Sequence, residues 1–174
     1  MNDTITWRSA IRADRAKLMA FTCTEPRTKD PRTWWAQGHD RPWEYRVQSA
    51  VRDLRVPARP PKFVLVGVDG KGVAAAAAYR ELAGAEHINI DLVAVAKRYR
   101  RTPDRSVVKR LGEELEAAII DRAVQQDVDR VLVTALVHPE NRPSQRICDE
   151  AGMQQDEEQY KGMLVYRLEH FLAF

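Results

Sequence analysis

Between His87 and Val95 the chain reads HINIDLVAV, and the apolar Ile88, Ile90, Leu92, Val93 and Val95 predict a buried strand. From Ser106 to Gln125 the period changes: Val107, Val108, Leu111, Leu115, Ala118, Ile119 and Val124 recur at three- and four-residue intervals, predicting the longest helix. Asp129 to Val137 (DRVLVTALV) is almost continuously apolar, as expected of a strand covered on both faces. His138 to Asn141 breaks that run. A helix then starts at Asn141 or Arg142 with Pro143 in its first turn, and Gly152 is placed as its left-handed C-terminal residue. Between the first strand and the long helix, Lys97, Arg98, Arg100, Arg101 and Arg105 make a basic loop that ends where the helix begins. Free backbone N–H groups and cations at a helix N-terminus favour an anion, so Glu86 to Met153 has the layout of a nucleotide-cofactor site.

The flanking stretches fill in a mixed α/β domain. Thr4 to Ile11 alternates as a first strand, and Arg12-Ala13-Asp14 opens a helical segment with Asp14 as its cap and Leu18, Met19 and Phe21 on the buried face. Thr24 to Pro42 is punctuated by prolines and Gly38 and carries Trp34, Trp35 and His39, the composition of a functional or disordered loop. Trp43 to Leu54 returns to helical spacing, with Trp43, Val47, Ala50, Val51 and Leu54 on one stripe, and Pro57, Pro60 and Pro61 end it. Lys62 to Val68, the turn Asp69-Gly70-Lys71-Gly72, and Val73 to Leu82 form a hairpin. Ala74 to Ala78 would suit a helix by propensity alone, but the turn before them and the flanking Val73 and Tyr79 argue for a strand that lets something pack close. Gln155 to Phe171 supplies two more strands, MLVYRLEHF the stronger. The expectation is one domain over residues 1–174, with no internal repeat.

Composition narrows the classes. The 174 residues are 44% apolar and 30% charged, ordinary for a globular protein, with a net charge of +3 that is too small to argue for nucleic acid. No apolar run reaches the roughly 18 residues of a membrane span, and MNDTITWRSAIRADR lacks the plan of a signal peptide, so the cytoplasm is expected. Cys23 and Cys148 fit no metal spacing, and no metal is expected.

The segment VHPENRPSQRICDEAGM, Val137 to Met153, resembles the strand–Asn–helix–Gly–hydrophobe signature of the GNAT superfamily of N-acyltransferases. The order hairpin, strand, loop, long helix before it is similar to that family's central order, so the resemblance covers roughly Phe63 to Met153. It implies a largely antiparallel central sheet of six or seven strands flanked by about four helices, and acetyl-CoA or another acyl-CoA as cofactor. It implies that backbone around Val93, Ala94 and Val95 pairs with the pantetheine arm in a V-shaped slot opened near Leu136, with Asn141 and Ser144 on the opposite wall. In the family, the pyrophosphate loop has the form R/Q-x-x-G-x-G/A. The best register here is Arg101 to Ser106, with Asp104 and Ser106 at the glycine positions. Glycine there tolerates positive φ and lets amides approach phosphate, so the departure leaves three alternatives. Asp104 turns away as a helix cap; or Arg100, Arg101 and Arg105 carry the binding together with Ser106; or cofactor binding is weakened.

For the chemistry, Asp91 is the first candidate for a base, because an acid within an apolar strand is costly to bury unless it is paired or raised in pKa. Alternation places it with Asn89, opposite Ile88, Ile90 and Leu92. An ion pair with an arginine is the other reading of Asp91. Glu81, Glu86, His87 and His138 are further candidates. Cys148 stands where many family members carry the tyrosine acid, and Tyr160 on the following strand is the alternative donor. The resemblance places the acceptor pocket between the first two helices, at Trp34, Trp35, His39, Trp43, Glu44 and Tyr45. The expected activity is N-acetyl or N-acyl transfer to a primary amine of a small molecule or protein. Two alternatives are a GNAT-fold binding or regulatory protein without robust catalysis, and a toxin-like acetyltransferase acting on aminoacyl-tRNA through Arg46, Arg52, Arg55 and Arg59. The apolar end His170 to Phe174 suggests a homodimer.

Overall fold

The computed structural model describes residues 4–24, 42–100 and 106–172. Among them, seven strands form one open sheet in the order β1-β2-β3-β4-β5-β7-β6. In chain order the elements are β1 (Thr6–Ser9), α1 (Arg15–Met19), α2 (Pro42–Asp53), β2 (Lys62–Asp69), β3 (Gly72–Ala83) and β4 (His87–Val95). They continue with the single turn α3 (Lys97–Arg100), α4 (Ser106–Gln125), β5 (Arg130–Val137), α5 (Arg142–Glu150), β6 (Gln154–Tyr160) and β7 (Met163–Phe171). Strands β4 and β5 are parallel, joined through α4, and every other neighbouring pair is antiparallel. The predicted α/β class, hairpin, long helix and terminal strand pair are all present.

Helices cover the two faces of the sheet. Val107, Leu111, Leu115, Ile119 and Ala123 of α4 pack on one face with Ala75, Ala77, Ile88, Val133 and Tyr166. Leu18, Phe21 and Val51 of the α1–α2 side pack on the other with Val64, Val66, Ala76, Ala78 and Ala94. The alanine run is a strand, as read from its turn: Ala75 and Ala77 face α4, Ala76 and Ala78 face α1 and α2, and all four are buried. Small side chains on both faces of β3 let helices approach the sheet closely beside β4.

Four local expectations are corrected. Asp14 makes no side-chain cap for α1. Its buried carboxylate instead accepts from Arg8 Nη2 at 2.8 Å and from the Ile11 N–H at 2.9 Å. Met19 and Val124 are exposed at 57% and 51%, and Ala50 is exposed as well. Each lies at the rim of its helix's buried stripe, and in α4 Ala123 takes the inward position. Leu92 does not share a face with Ile88 and Ile90; it packs with the α1–α2 cluster, because alternation is interrupted at Asp91. The basic segment opens as the helical turn α3 rather than as loop.

Candidate functional site

The site begins with an interruption in β4. Ala78 pairs with Leu92 and Tyr79 with Ile90, so Asp91 is an extra residue in the ladder to β3. Such a bulge bends its strand and raises the local twist. The ladder to β5 stops at the same level: the last pair is Ile90 with Ala135, although β4 runs on to Val95 and β5 to Val137. Beyond it β5 stays with β7 through Val137–Leu164, while β4 stays with β3 through Val95–Ala75. Two strands thus diverge with their facing backbone edges unpaired, next to Val93, Ala94 and Val95. Val93 and Val95 face α4, and Ala94 is buried on the α1–α2 side.

On the α1–α2 face a row of polar side chains crosses this junction. The Asn89 amide donates to Asp91 Oδ1 at 2.8 Å, and Arg80 Nε lies 2.9 Å from the same oxygen. The Thr134 hydroxyl donates to Asn89 Oδ1 at 3.1 Å and meets His87 Nε2 at 3.2 Å. Asp91 is therefore paired and solvent-facing rather than buried. Burial, with Arg167 nearby, holds the His87 imidazole below its ordinary pKa and favours the neutral ring. Glu81 lies on the opposite face, bound to Arg122 at 2.6 Å, and so stands away from Asp91. Arg80 and Thr134 were not singled out from the sequence. Thr134, the one hydroxyl within the apolar run Val131 to Val137, is the signal that could have found the row.

The turn α3 is tied down on the α1–α2 side. The Lys97 N–H bonds Thr22 O at 2.9 Å. Arg98 Nη2 meets both oxygens of buried Asp69 at 3.0 and 2.9 Å, and the Tyr99 hydroxyl donates to Asp69 Oδ2 at 2.6 Å. Arg100 bonds Cys23 O at 2.6 Å and Glu44 Oε1 at 2.8 Å. Arg100, expected to reach a cofactor, has a guanidinium that joins α3 to the start of α2. Arg101, Asp104 and Arg105 lie outside the described residues, as do Trp34, Trp35 and His39. Ser106 begins α4 and is exposed.

At the far wall, Asn141 caps α5. Its Oδ1 accepts from the Ser144 N–H at 3.4 Å, and its Nδ2 donates to Ser144 Oγ at 2.8 Å. Gln145 of α5 reaches back to Pro139 O at 2.5 Å and fixes the β5–α5 connection. Trp43 stacks on His138 with centroids 4.7 Å apart at 24°, so the first turn of α2 meets the end of β5 across the divergence. Tyr45 is half-buried on α2.

The two expected proton donors fare less well. Cys148 is buried in the α4-side core, and burial, with Asp149 adding to it, pushes its thiol to about 11. Such a thiol is a weaker acid than an ordinary one near 8.5, so protonating a departing alkyl thiolate from it runs uphill. Tyr160 ends the edge strand β6, is 52% exposed, and its ring sits under Lys161. Two strand spacings, about 10 Å, separate β6 from β5, so Tyr160 stands away from the divergence. Arg52, one of the proposed RNA-facing arginines, bonds Phe21 O at 2.8 Å.

Residues 27–153 match the model of the Acetyltransferase (GNAT) family. Among solved structures, the chain is similar to the GNAT domain of S. lividans PAT, at 19% identity and TM-score 0.65 over 97% of this chain and 90% of that one. It is similar to the PaiA N-acetyltransferase of Thermoplasma acidophilum in complex with coenzyme A, at 12% identity and TM-score 0.66 over 96% and 99%. The ribosomal-protein-S18-alanine N-acetyltransferase of Escherichia coli shares 11% identity at TM-score 0.56 over 98% and 96%. No curated protein matches the sequence. None of the described helices is long and apolar enough to cross a membrane.

Proposed function

We propose that this chain, which belongs to the acetyltransferase (GNAT) family, transfers an acyl group from acyl-CoA to an amine in the divergence between β4 and β5. The observation that carries this is the unpaired edge of β4 beyond Ile90, which leaves backbone N–H groups free beside a solvent-facing carboxylate. Bound acyl-CoA would supply an activated thioester; amide C–N bond formation then accompanies C–S cleavage, giving free thiol and one proton from the acceptor ammonium. The residues present fit that group. The open β4 edge from Asp91 to Val95 offers hydrogen bonds to an extended amide-bearing arm, and an N–H there is aimed where an oxyanion would develop. Asn141 and Ser144 of α5 are proposed for the other side of that arm, and Arg101, Arg105 and the start of α4 at Ser106 for the phosphates. Asp91 is assigned as the base that takes the acceptor's proton, held in place through Asn89 and Arg80. Trp43 and Tyr45, with Trp34 and Trp35, are proposed for the acceptor side. With Cys148 too weak an acid and Tyr160 on the outer strand, solvent at the open mouth is left to protonate the departing thiolate.

The test couples calorimetric binding of acetyl-CoA to thiol release with a panel of amines. Asp91→Asn is expected to bind acetyl-CoA normally while turnover falls about 10²- to 10⁴-fold. Unchanged turnover would remove Asp91 from the mechanism. A second reading, a binding protein on this fold, is supported by one observation: Arg98 and Arg100 are already matched by Asp69 and Glu44. Absence of acetyl-CoA binding at millimolar concentration would favour it.

A further inference from the structure

The polar row at the bulge is incompletely matched, and the mismatch has a definite shape. Both described contacts of Asp91 fall on Oδ1: the Asn89 amide donates to it at 2.8 Å, and Arg80 Nε forms an ion pair with it at 2.9 Å. Oδ2 accepts no hydrogen bond from the described residues. On the cationic side, Arg80 meets Asp91 through Nε, and its two terminal Nη groups donate to no described acceptor. The Arg80 side chain is 44% exposed and that of Asp91 25%, so the pair is open to solvent on the α1–α2 side of the sheet. They stand where β4 leaves the β5 ladder, the position at which an acceptor must present its nitrogen.

We infer that the acceptor is a zwitterionic amine, an α-amino acid or a close analogue, with its ammonium on Asp91 Oδ2 and its carboxylate on the free Nη edge of Arg80. A guanidinium matches a carboxylate through two parallel N–H donors, and an ammonium next to a carboxylate oxygen is the complementary charge-assisted contact. The two halves of a zwitterion are separated by one carbon, and the two free edges belong to side chains already in contact. Asn89 reinforces the geometry by pinning Oδ1, and Thr134 in turn donates to Asn89. An amine without a carboxylate leaves the Arg80 edge unanswered. A simple polycation additionally brings like charge toward it. Arg80 is thus a specificity-determining residue, distinct from Asp91, which takes the proton.

This inference rests on the acyl-transfer reading, and the experiment separates the two. Thiol release from acetyl-CoA is followed with each proteinogenic L-amino acid, its carboxamide and its decarboxylated amine, in wild type, Arg80→Met and Arg80→Lys. At least one amino acid is expected to be acylated with kcat/KM about ten- to a hundredfold above that of its carboxamide, since the pairing is partly solvated and below the limit for a fully buried match. Arg80→Met should abolish the amino acid's kcat/KM advantage over its carboxamide, any fall in kcat from losing the Arg80 contact to Asp91 being common to both substrates, and Arg80→Lys should restore part of the advantage. A carboxamide or decarboxylated amine used as well as its amino acid overturns the inference and leaves acyl transfer standing. Transfer only to amines lacking a carboxylate does the same. No transfer to any amine, with or without acetyl-CoA binding by calorimetry, overturns both readings.

Discussion

Asp14 shows how much one side chain can alter a local reading. Its position before a helix invites the role of cap, yet the carboxylate is 1% exposed and tied to Arg8 and the Ile11 N–H. The Arg8 guanidinium holds its pKa below the ordinary carboxylate value against the opposing effect of burial. A carboxylate lowered in the folded state contributes stability that is full above the unfolded value near about 4 and is lost as pH falls through the folded value. Thermal melts between pH 5 and pH 2 should therefore show a loss that Asp14→Asn flattens, the variant being less stable at neutral pH by about 1–3 kcal/mol. An equally steep profile in the variant would assign the acid sensitivity elsewhere. Asn141 was legible as a cap, because its partner lies three residues away in the chain. The partners of Asp14, Asp69 and Glu44 are arginines that only the folded sheet brings near, so spacing carried no trace of them.

At the level of elements, the sequence spoke most clearly where one period ran unbroken. The long helix occupies Ser106–Gln125 and the central strand His87–Val95, as their apolar patterns require. The bulge was not legible, since HINIDLVAV alternates regularly up to Leu92 and nothing local marks Asp91 as supernumerary. Close packing imposes its own rule at Gly67 of β2. A Cβ there would stand 2.9 Å from Ile5 Cγ2 and 2.9 Å from the Trp7 ring. Gly67→Ala is expected to lower stability by about 1–3 kcal/mol through overpacking between β1 and β2. Chemical denaturation measures it, and a neutral result would mean that β1 yields at little cost.

For the whole molecule, one sheet carries two cores, and the polar side chains of the candidate site gather on one side of it. The α4 face is largely apolar, with the Glu81–Arg122 pair beside its core. The α1–α2 face bears the polar row, the anchors of α3 and the Trp43–His138 stack. What the sequence could not convey was the separation of Tyr160 from β5, a property of the strand order β5-β7-β6.

Because Asp91 and Leu92 look to the same side, the chain on either side of the bulge is in step without Asp91. Ile90 faces α4 and Leu92 faces α2, as consecutive residues of a plain strand do. Asp91 is thus an inserted beat that the pattern can drop. Deleting it should leave every downstream side chain on its own face and give a protein with an unchanged far-ultraviolet spectrum and one cooperative melt. With the strand straightened, β4 and β5 should zip further and acetyl-CoA affinity should disappear. Deleting Val93 instead reverses Ala94 and Val95 and should unfold the sheet. The opening between β4 and β5 is, in that sense, a reversible edit of one residue written onto a complete sheet.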